Sequence, residues 1–206
     1  MNVFFDKNKI EVGIDEAGRG CLAGPVVCAA VIMPQNIDNE YLYLQNQIKD
    51  SKKLSRKKRK ELKEFIEFIA LDYSVCYKDN VTIDDINIFN ATHQCMHDCL
   101  NKLNIIPESI LVDGDKFNNY YNNNELIEHN CIIGGDNKYI SIASASILAK
   151  ESHDDYIVNL CNNNKELNKY DWVNNMCYGT QKHINGIKKY GITNFHRKSF
   201  GICKDY

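Results

Sequence analysis

The sequence predicts an α/β fold: a mixed β-sheet covered on both faces by helices, followed by a helical C-terminal region. Three observations predict it. Short apolar runs rich in Val, Ile and Ala recur along the chain, each bounded by turn residues. Segments with apolar residues at helical spacing lie between them. The 206 residues are 44% hydrophobic and 25% charged, ordinary globular composition at a length that suits one domain over 1–206.

Lys9 to Ile14 reads as a short strand and Pro25 to Met33 as a longer, buried one. The acidic, glycine-rich turn Asp15-Glu16-Ala17-Gly18-Arg19-Gly20 separates them. Ser55 is placed to cap a helix whose apolar face is Leu62, Phe65, Ile66 and Ile69. Asp72 to Tyr77 reads as a further strand. Thr82 with Asp85 resembles a capping box, opening a helix with Ala91, Cys95, Cys99 and Leu103 on one face.

Ser109 to Val112 is a strand that runs into Asp113-Gly114-Asp115. Asn118 to Asn124 reads as a polar loop. Glu128 to Ile133 is a strand that ends in Gly134-Gly135-Asp136. Ile140 to Cys161 fits a long helix whose small residues Ala143 to Ser146 permit close packing. From Tyr170 onward loop and helix alternate. No repeat and no long linker interrupts the chain.

Composition excludes several classes. The N-terminal residues lack a basic region followed by an apolar run, so no signal peptide is expected. The longest uncharged apolar stretch, Cys21 to Pro34, is too short to cross a bilayer and is broken by Gly24 and Pro25. A soluble, intracellular protein follows: cytoplasmic, or nuclear if the source is eukaryotic. The nine cysteines are odd in number and sit mostly in apolar segments, which suits buried thiols rather than disulfides. His93, Cys95, His97 and Cys99 have metal-ligand residue types. On a helix, however, the His pair and the Cys pair point about 200° apart and cannot converge on one zinc.

The net charge of −2 gives no overall pull towards nucleic acid. Its distribution is more informative. Lys49 to Lys60 is almost uniformly basic, and Lys182, Lys188, Lys189, Arg197 and Lys198 form a second basic group. Such runs are commonly solvated helix faces. Here they flank an acidic motif.

Carboxylates recur where strands end: Asp15 with Glu16, Asp113, and Asp136. Gathered at one sheet edge they would repel one another and favour hard divalent cations, Mg²⁺ or Mn²⁺. Singly, each also fits a turn former or cap. Spacing alone leaves both readings open.

A resemblance adds to this reading. Val12 to Gly20 (Val-Gly-Ile-Asp-Glu-Ala-Gly-Arg-Gly), followed by Leu22 to Val27, resembles the opening signature of ribonuclease HII. Further blocks resemble that family in order: Asp50 to Ser55, Asn87-Ile88 with Ala91-Thr92, Val112-Asp113-Gly114, and Ile142 to Lys150. Tyr178-Gly179-Thr180 with His183, and His196 to Gly201, complete the series.

The resemblance implies the ribonuclease H-like mixed sheet with flanking helices. It implies that Asp15, Glu16, Asp113 and Asp136 are catalytic and hold two metals, Mg²⁺ or Mn²⁺. Gly18, Arg19 and Gly20 would read a ribose 2′-hydroxyl through their backbone, the group that distinguishes RNA from DNA. Tyr178 would sit at the junction sugar. Lys52, Lys53, Lys150 and Arg197 would hold phosphates, contacts that position a duplex without reading its sequence.

The implied reaction is hydrolysis on the 5′ side of a ribonucleotide by a two-metal mechanism, leaving a 3′-hydroxyl and a 5′-phosphate. The implied partners are RNA–DNA hybrids and DNA duplexes carrying ribonucleotides, and the implied role is ribonucleotide removal in DNA repair and replication. A monomer without a sliding-clamp-binding tail is expected.

The sequence departs from the family pattern at Cys21, where proline is usual, at Gly134, at Glu151 to Asp154, and at Asn175 to Cys177. Asp154 is either a competing metal ligand or a structural acid. Two rivals stand beside this reading. Ribonuclease HIII shares the fold and needs a longer RNA tract, and a catalytically silent hybrid-binding module would not need the carboxylates.

Overall fold

The computed structural model describes residues 1–36 and 39–206. Six strands form one mixed sheet in the order β3-β2-β1-β4-β6-β5. They are β1 (Glu11–Ala17), β2 (Val26–Ile32), β3 (Asp72–Lys78), β4 (Ser109–Asp113), β5 (Tyr120–Asn122) and β6 (Glu125–Ile132). β1, β2 and β3 pair antiparallel, while β1–β4 and β4–β6 pair parallel. A short helix, α1 (Leu42–Gln45), precedes α2 (Arg56–Ile69), α3 (Asn80–Lys102) and α4 (Ile140–Asn163). Two more, α5 (Trp172–Asn175) and α6 (Gln181–Tyr190), belong to the C-terminal helical region.

Strand alternation divides the core into two layers. Val12, Ile14, Ile110 and Val112 face α3, where they meet Cys95, Met96, Cys99 and Leu100. Ala17, Ala29 and Val31 face α4 and α2 through Ala143, Ala145, Leu148, Leu62 and Ile66. At Gly13 any Cβ would lie 2.2 Å from the Ser141 backbone, so α4 approaches β1 to backbone contact only because this residue has no side chain. The small residues of α4 serve that approach. A third apolar cluster joins Cys21, Ala23, Ile157, Tyr170, Trp172 and Cys177, and so ties the C-terminal region to the segment after β1.

Several sequence expectations are corrected. The first strand runs through Ala17 rather than ending at Ile14, so Asp15 and Glu16 lie within it and pair with Ala29 and Cys28. The Asn118 to Asn124 loop is a hairpin: Asn123 and Asn124 both adopt positive φ (48° and 68°), the mark of a two-residue primed turn between β5 and β6. The α3 cap is Asp79, which accepts from the Thr82 amide at 2.8 Å, in place of the Thr82–Asp85 box. Asn87 interrupts α3 at φ 65° and recaps it by accepting from the Asn90 amide. Ser55 caps α2 as its spacing predicts, accepting from the Lys58 amide.

Candidate active site

The parallel register sets Ile14 opposite Val112 and Asp113 opposite Ile132. Asp15 and Asp113 therefore reach the same edge, the carboxyl ends of β1 and β4, where open α/β sheets bind their ligands. Asp136 joins them from the 3₁₀ turn Gly135–Asn137 that leads into α4. Ligand oxygens of Asp15, Asp113 and Asp136 lie within 4.8 Å of one another. The Gly135 amide donates to Asp113 Oδ1 at 2.7 Å, which fixes the turn against the strand.

Glu16 stands apart from this triad. Its neighbour Asp15 belongs to the face that carries Gly13 and Ala17, so alternation turns Glu16 towards the α3 side. There it pairs with Arg19 at 3.4 Å.

The electrostatics suit a cation. Burial, and then the charges of Glu16 and Asp113, push the Asp15 carboxyl well above the usual carboxylate range. Asp136 is raised by burial and by Asp113 and Asp50. Buried Asp15 and Asp136 with half-buried Asp113 make a hard-oxygen donor set that fits a divalent metal.

Beside the triad, a cavity of about 430 Å³ is lined by Glu16, Gly18, Arg19, Lys52, Lys150 and Tyr178, among others. Gly18 has φ 81°, and a Cβ there would meet His153 at 2.5 Å and the Pro25 carbonyl at 2.8 Å. Only glycine fits. Tyr178 is bridged to Cys21, just past the glycine turn, and Leu22 donates to the Cys177 carbonyl at 2.9 Å. The Lys150 ammonium sits 5.6 Å from the centre of the Tyr178 ring. Ser51, in the turn that carries Lys52, hydrogen-bonds Ser146 of α4 at 3.0 Å. Lys53 lies outside this lining and bonds Asn137, beside Asp136.

Arg197 is where the sequence expectation fails. It has no exposed surface, and its guanidinium donates to the carbonyls of Gly18, Arg19, Gly24 and Pro25 at 2.7 to 3.0 Å. A phosphate has no access to it. It holds the glycine turn instead.

Sequence reasoning also missed Arg59. This residue leaves the basic run of α2 to pair with buried Glu151 and Asp154. Burial alone would raise the Asp154 carboxyl, but hydrogen bonds from His153 and Lys150 outweigh it and hold the group below its usual range. Asp154 is thus a structural acid that anchors Lys150 at 2.8 Å. The i, i+4 spacing of Ser146, Lys150 and Asp154 on α4 was the available signal.

A family model for ribonuclease HII matches residues 12–203. The chain belongs to the ribonuclease HII family. It is 46% identical to the ribonuclease HII of Christiangramia forsetii over 202 residues, which cover 98% of this chain and 96% of that protein. Among solved structures, the ribonuclease H2 from Pyrococcus horikoshii OT3 shares the fold with a TM-score of 0.75 at 23% identity, covering 95% of each chain. A Bst-RNase HIII solved in complex with Mn²⁺ shares it with a TM-score of 0.65 at 16% identity, covering 94% of this chain and 68% of that one. The chain is a metal-dependent endoribonuclease with the ribonuclease H-like mixed sheet. Among the described residues, no helix is long and apolar enough to cross a membrane.

Proposed function

We propose that this family member cuts the phosphodiester on the 5′ side of a ribonucleotide, in RNA–DNA hybrids and at single ribonucleotides within duplex DNA. The products are a 3′-hydroxyl and a 5′-phosphate. The observation that carries the reading is the juxtaposition of the Asp15–Asp113–Asp136 triad with the cavity formed by the glycine turn and Tyr178. Reacting groups and a sugar-sensing surface share one sheet edge.

Asp15, Asp113 and Asp136 would hold two ions, Mg²⁺ or Mn²⁺, with Glu16 adding a carboxylate from the α3 side of β1. When bound, such a pair activates a water and stabilises the departing 3′ oxygen. The backbone of Gly18, Arg19 and Gly20 approaches the ribose closely enough to bond its 2′-hydroxyl, a role that the conformation of Gly18 supports. The Tyr178 ring packs on the next sugar. Lys52, Lys53 and Lys150 hold phosphates as point charges. Arg197 acts through the turn and touches no substrate.

The role that follows is ribonucleotide removal in DNA replication and repair, by a single-domain monomer in the cytoplasm. Two duplexes test the substrate range, one with a single ribonucleotide and one with four in a row. Cutting of both at the 5′ side is expected. Cutting of the four-ribonucleotide duplex alone would assign the chain a ribonuclease HIII-like specificity.

A further inference from the structure

Tyr178 follows two costly backbone conformations. Met176 and Cys177 adopt φ 47° and 65°, left-handed values that residues with side chains rarely take. Such a stretch persists only where its surroundings over-determine it. Buried Asn175 supplies one hold: its side chain donates to the Tyr170 carbonyl at 2.8 Å and accepts from the Cys177 amide at 2.9 Å. A second hold comes from three buried rings, Trp172, His183 and His196.

The donors around these rings fix where each imidazole carries its proton. The Thr193 amide donates to His196 Nδ1 at 2.8 Å, so the His196 proton is on Nε2. The Trp172 indole N–H can only donate, and it reaches His183 Nε2 at 2.8 Å, so the His183 proton is on Nδ1. His196 Nε2–H, 3.2 Å away, then donates to the same bare His183 Nε2. His183 Nδ1–H is left to donate to the Tyr178 carbonyl at 3.1 Å. The Cys177 carbonyl also faces this imidazole. Burial pulls both histidines below their usual pKa, so at neutral pH neither carries the second proton that would break the chain.

We infer that His183 is a positioning residue: through its Nδ1–H it holds the Tyr178 backbone, and so sets the Tyr178 ring in place against the substrate sugar. The inference rests on the reading of Tyr178 given above. His196 gives the relay a fixed end. It is bridged to Ala23 and precedes Arg197, whose guanidinium grips the glycine turn. The relay therefore keeps Tyr178 in register with that turn. The Thr180 amide also reaches the Tyr178 carbonyl, at 2.8 Å, but from within the same loop.

Two substitutions separate positioning from packing, because the two ring nitrogens do different work. His183→Gln places an amide oxygen near the Nε2 position, which can still accept from Trp172 and His196, and loses the donor to Tyr178. His183→Asn places an amide N–H near the Nδ1 position, which keeps that donor, and loses the acceptor. The test measures melting temperature, stabilisation by Mn²⁺, and kcat/KM with Mn²⁺ on a duplex carrying one ribonucleotide, below every melting transition. His183→Gln is expected to lose about five-fold in kcat/KM, the worth of one hydrogen bond, with the higher melting temperature of the two. His183→Asn is expected to keep near wild-type kcat/KM with the lower melting temperature. Stabilisation by Mn²⁺ should match wild type in both.

A double-mutant cycle with Tyr178→Ala completes the test. Tyr178→Ala should lose roughly a hundred-fold in kcat/KM, and His183→Gln should cost nothing further in that background. Losses that multiply in the double variant overturn the inference alone, since His183 would then act without Tyr178. Activity that follows melting temperature across the two His183 variants also overturns it, as does wild-type kcat/KM in His183→Gln. If one variant does not fold, the other decides: folded His183→Gln must lose activity, and folded His183→Asn must keep it. Wild-type kcat/KM in Tyr178→Ala overturns the reading of Tyr178, and this inference with it.

Discussion

Arg197 donates to the carbonyl of Gly18 at 2.7 Å from a site with no exposed surface. Its other donors reach Arg19, Gly24 and Pro25, so one planar fork organises the whole glycine turn. A lysine has a compact ammonium and cannot span four carbonyls. Arg197→Lys is therefore expected to lose roughly 3 kcal/mol of stability, through carbonyls left unpaired. Below its lowered melting temperature it should lose discrimination between ribose and deoxyribose more than it loses metal affinity. Thermal unfolding with paired substrates checks this.

The acid triad carries a stability cost that a metal relieves. Asp15 and Asp136 have folded-state pKa values above the usual carboxylate range, so each stabilises the fold only while protonated. That stability is complete below the usual range and lost as pH rises through the raised values. At neutral pH, without metal, Asp136→Asn should accordingly raise the melting temperature. It should also abolish most of the stabilisation that Mn²⁺ gives wild type. Scans with and without Mn²⁺ measure both effects, and protons should compete with the metal at higher pH than for ordinary carboxylates.

A buried histidine pair sets the opposite pH dependence. His183 Nε2 accepts from Trp172 at 2.8 Å and lies 3.2 Å from His196 Nε2, while His183 Nδ1 meets the Tyr178 carbonyl. Burial, and then His183, pull the His196 pKa down to about 4. Its stabilising contribution is full above the unfolded histidine value of about 6.5 and is lost as pH falls towards the folded value. The melting temperature of wild type should fall over that window. His196→Asn should fall less steeply from a lower start.

Asp154 links α2 to the cavity through Arg59 and Lys150. Asp154→Asn leaves both cations short of a partner, at a cost of about 3 kcal/mol for a buried pair. Lys150 loses its anchor, so KM for duplex substrate should rise several-fold while metal affinity stays close to wild type. Titration of Mn²⁺ and of substrate separates the two.

Much of this was legible in the sequence, because short-range rules govern it. Ser55 caps α2, β2 is buried throughout, and three of the acids meet at one edge as strand-end placement suggested. The rest depended on partners distant in sequence. Glu16 lies outside the group of three because β1 continues through it and alternation turns it towards the α3 side. Arg197 reads as a phosphate contact until four carbonyls surround it, each more than 170 residues away. Arg59 was hidden within a basic run whose other members are mostly solvated. Asn123-Asn124 carried a hairpin signal that polarity alone obscured.

The central claim is that the Asp15 triad cuts beside a ribonucleotide sensed by the glycine turn. The most direct test is a cleavage map on a DNA duplex carrying one ribonucleotide, with Mg²⁺ or Mn²⁺, for wild type and Asp15→Asn. A single metal-dependent cut on the 5′ side of the ribonucleotide, lost in Asp15→Asn, is the result expected. Cutting that persists in Asp15→Asn, or no cut by wild type with either metal, would contradict it.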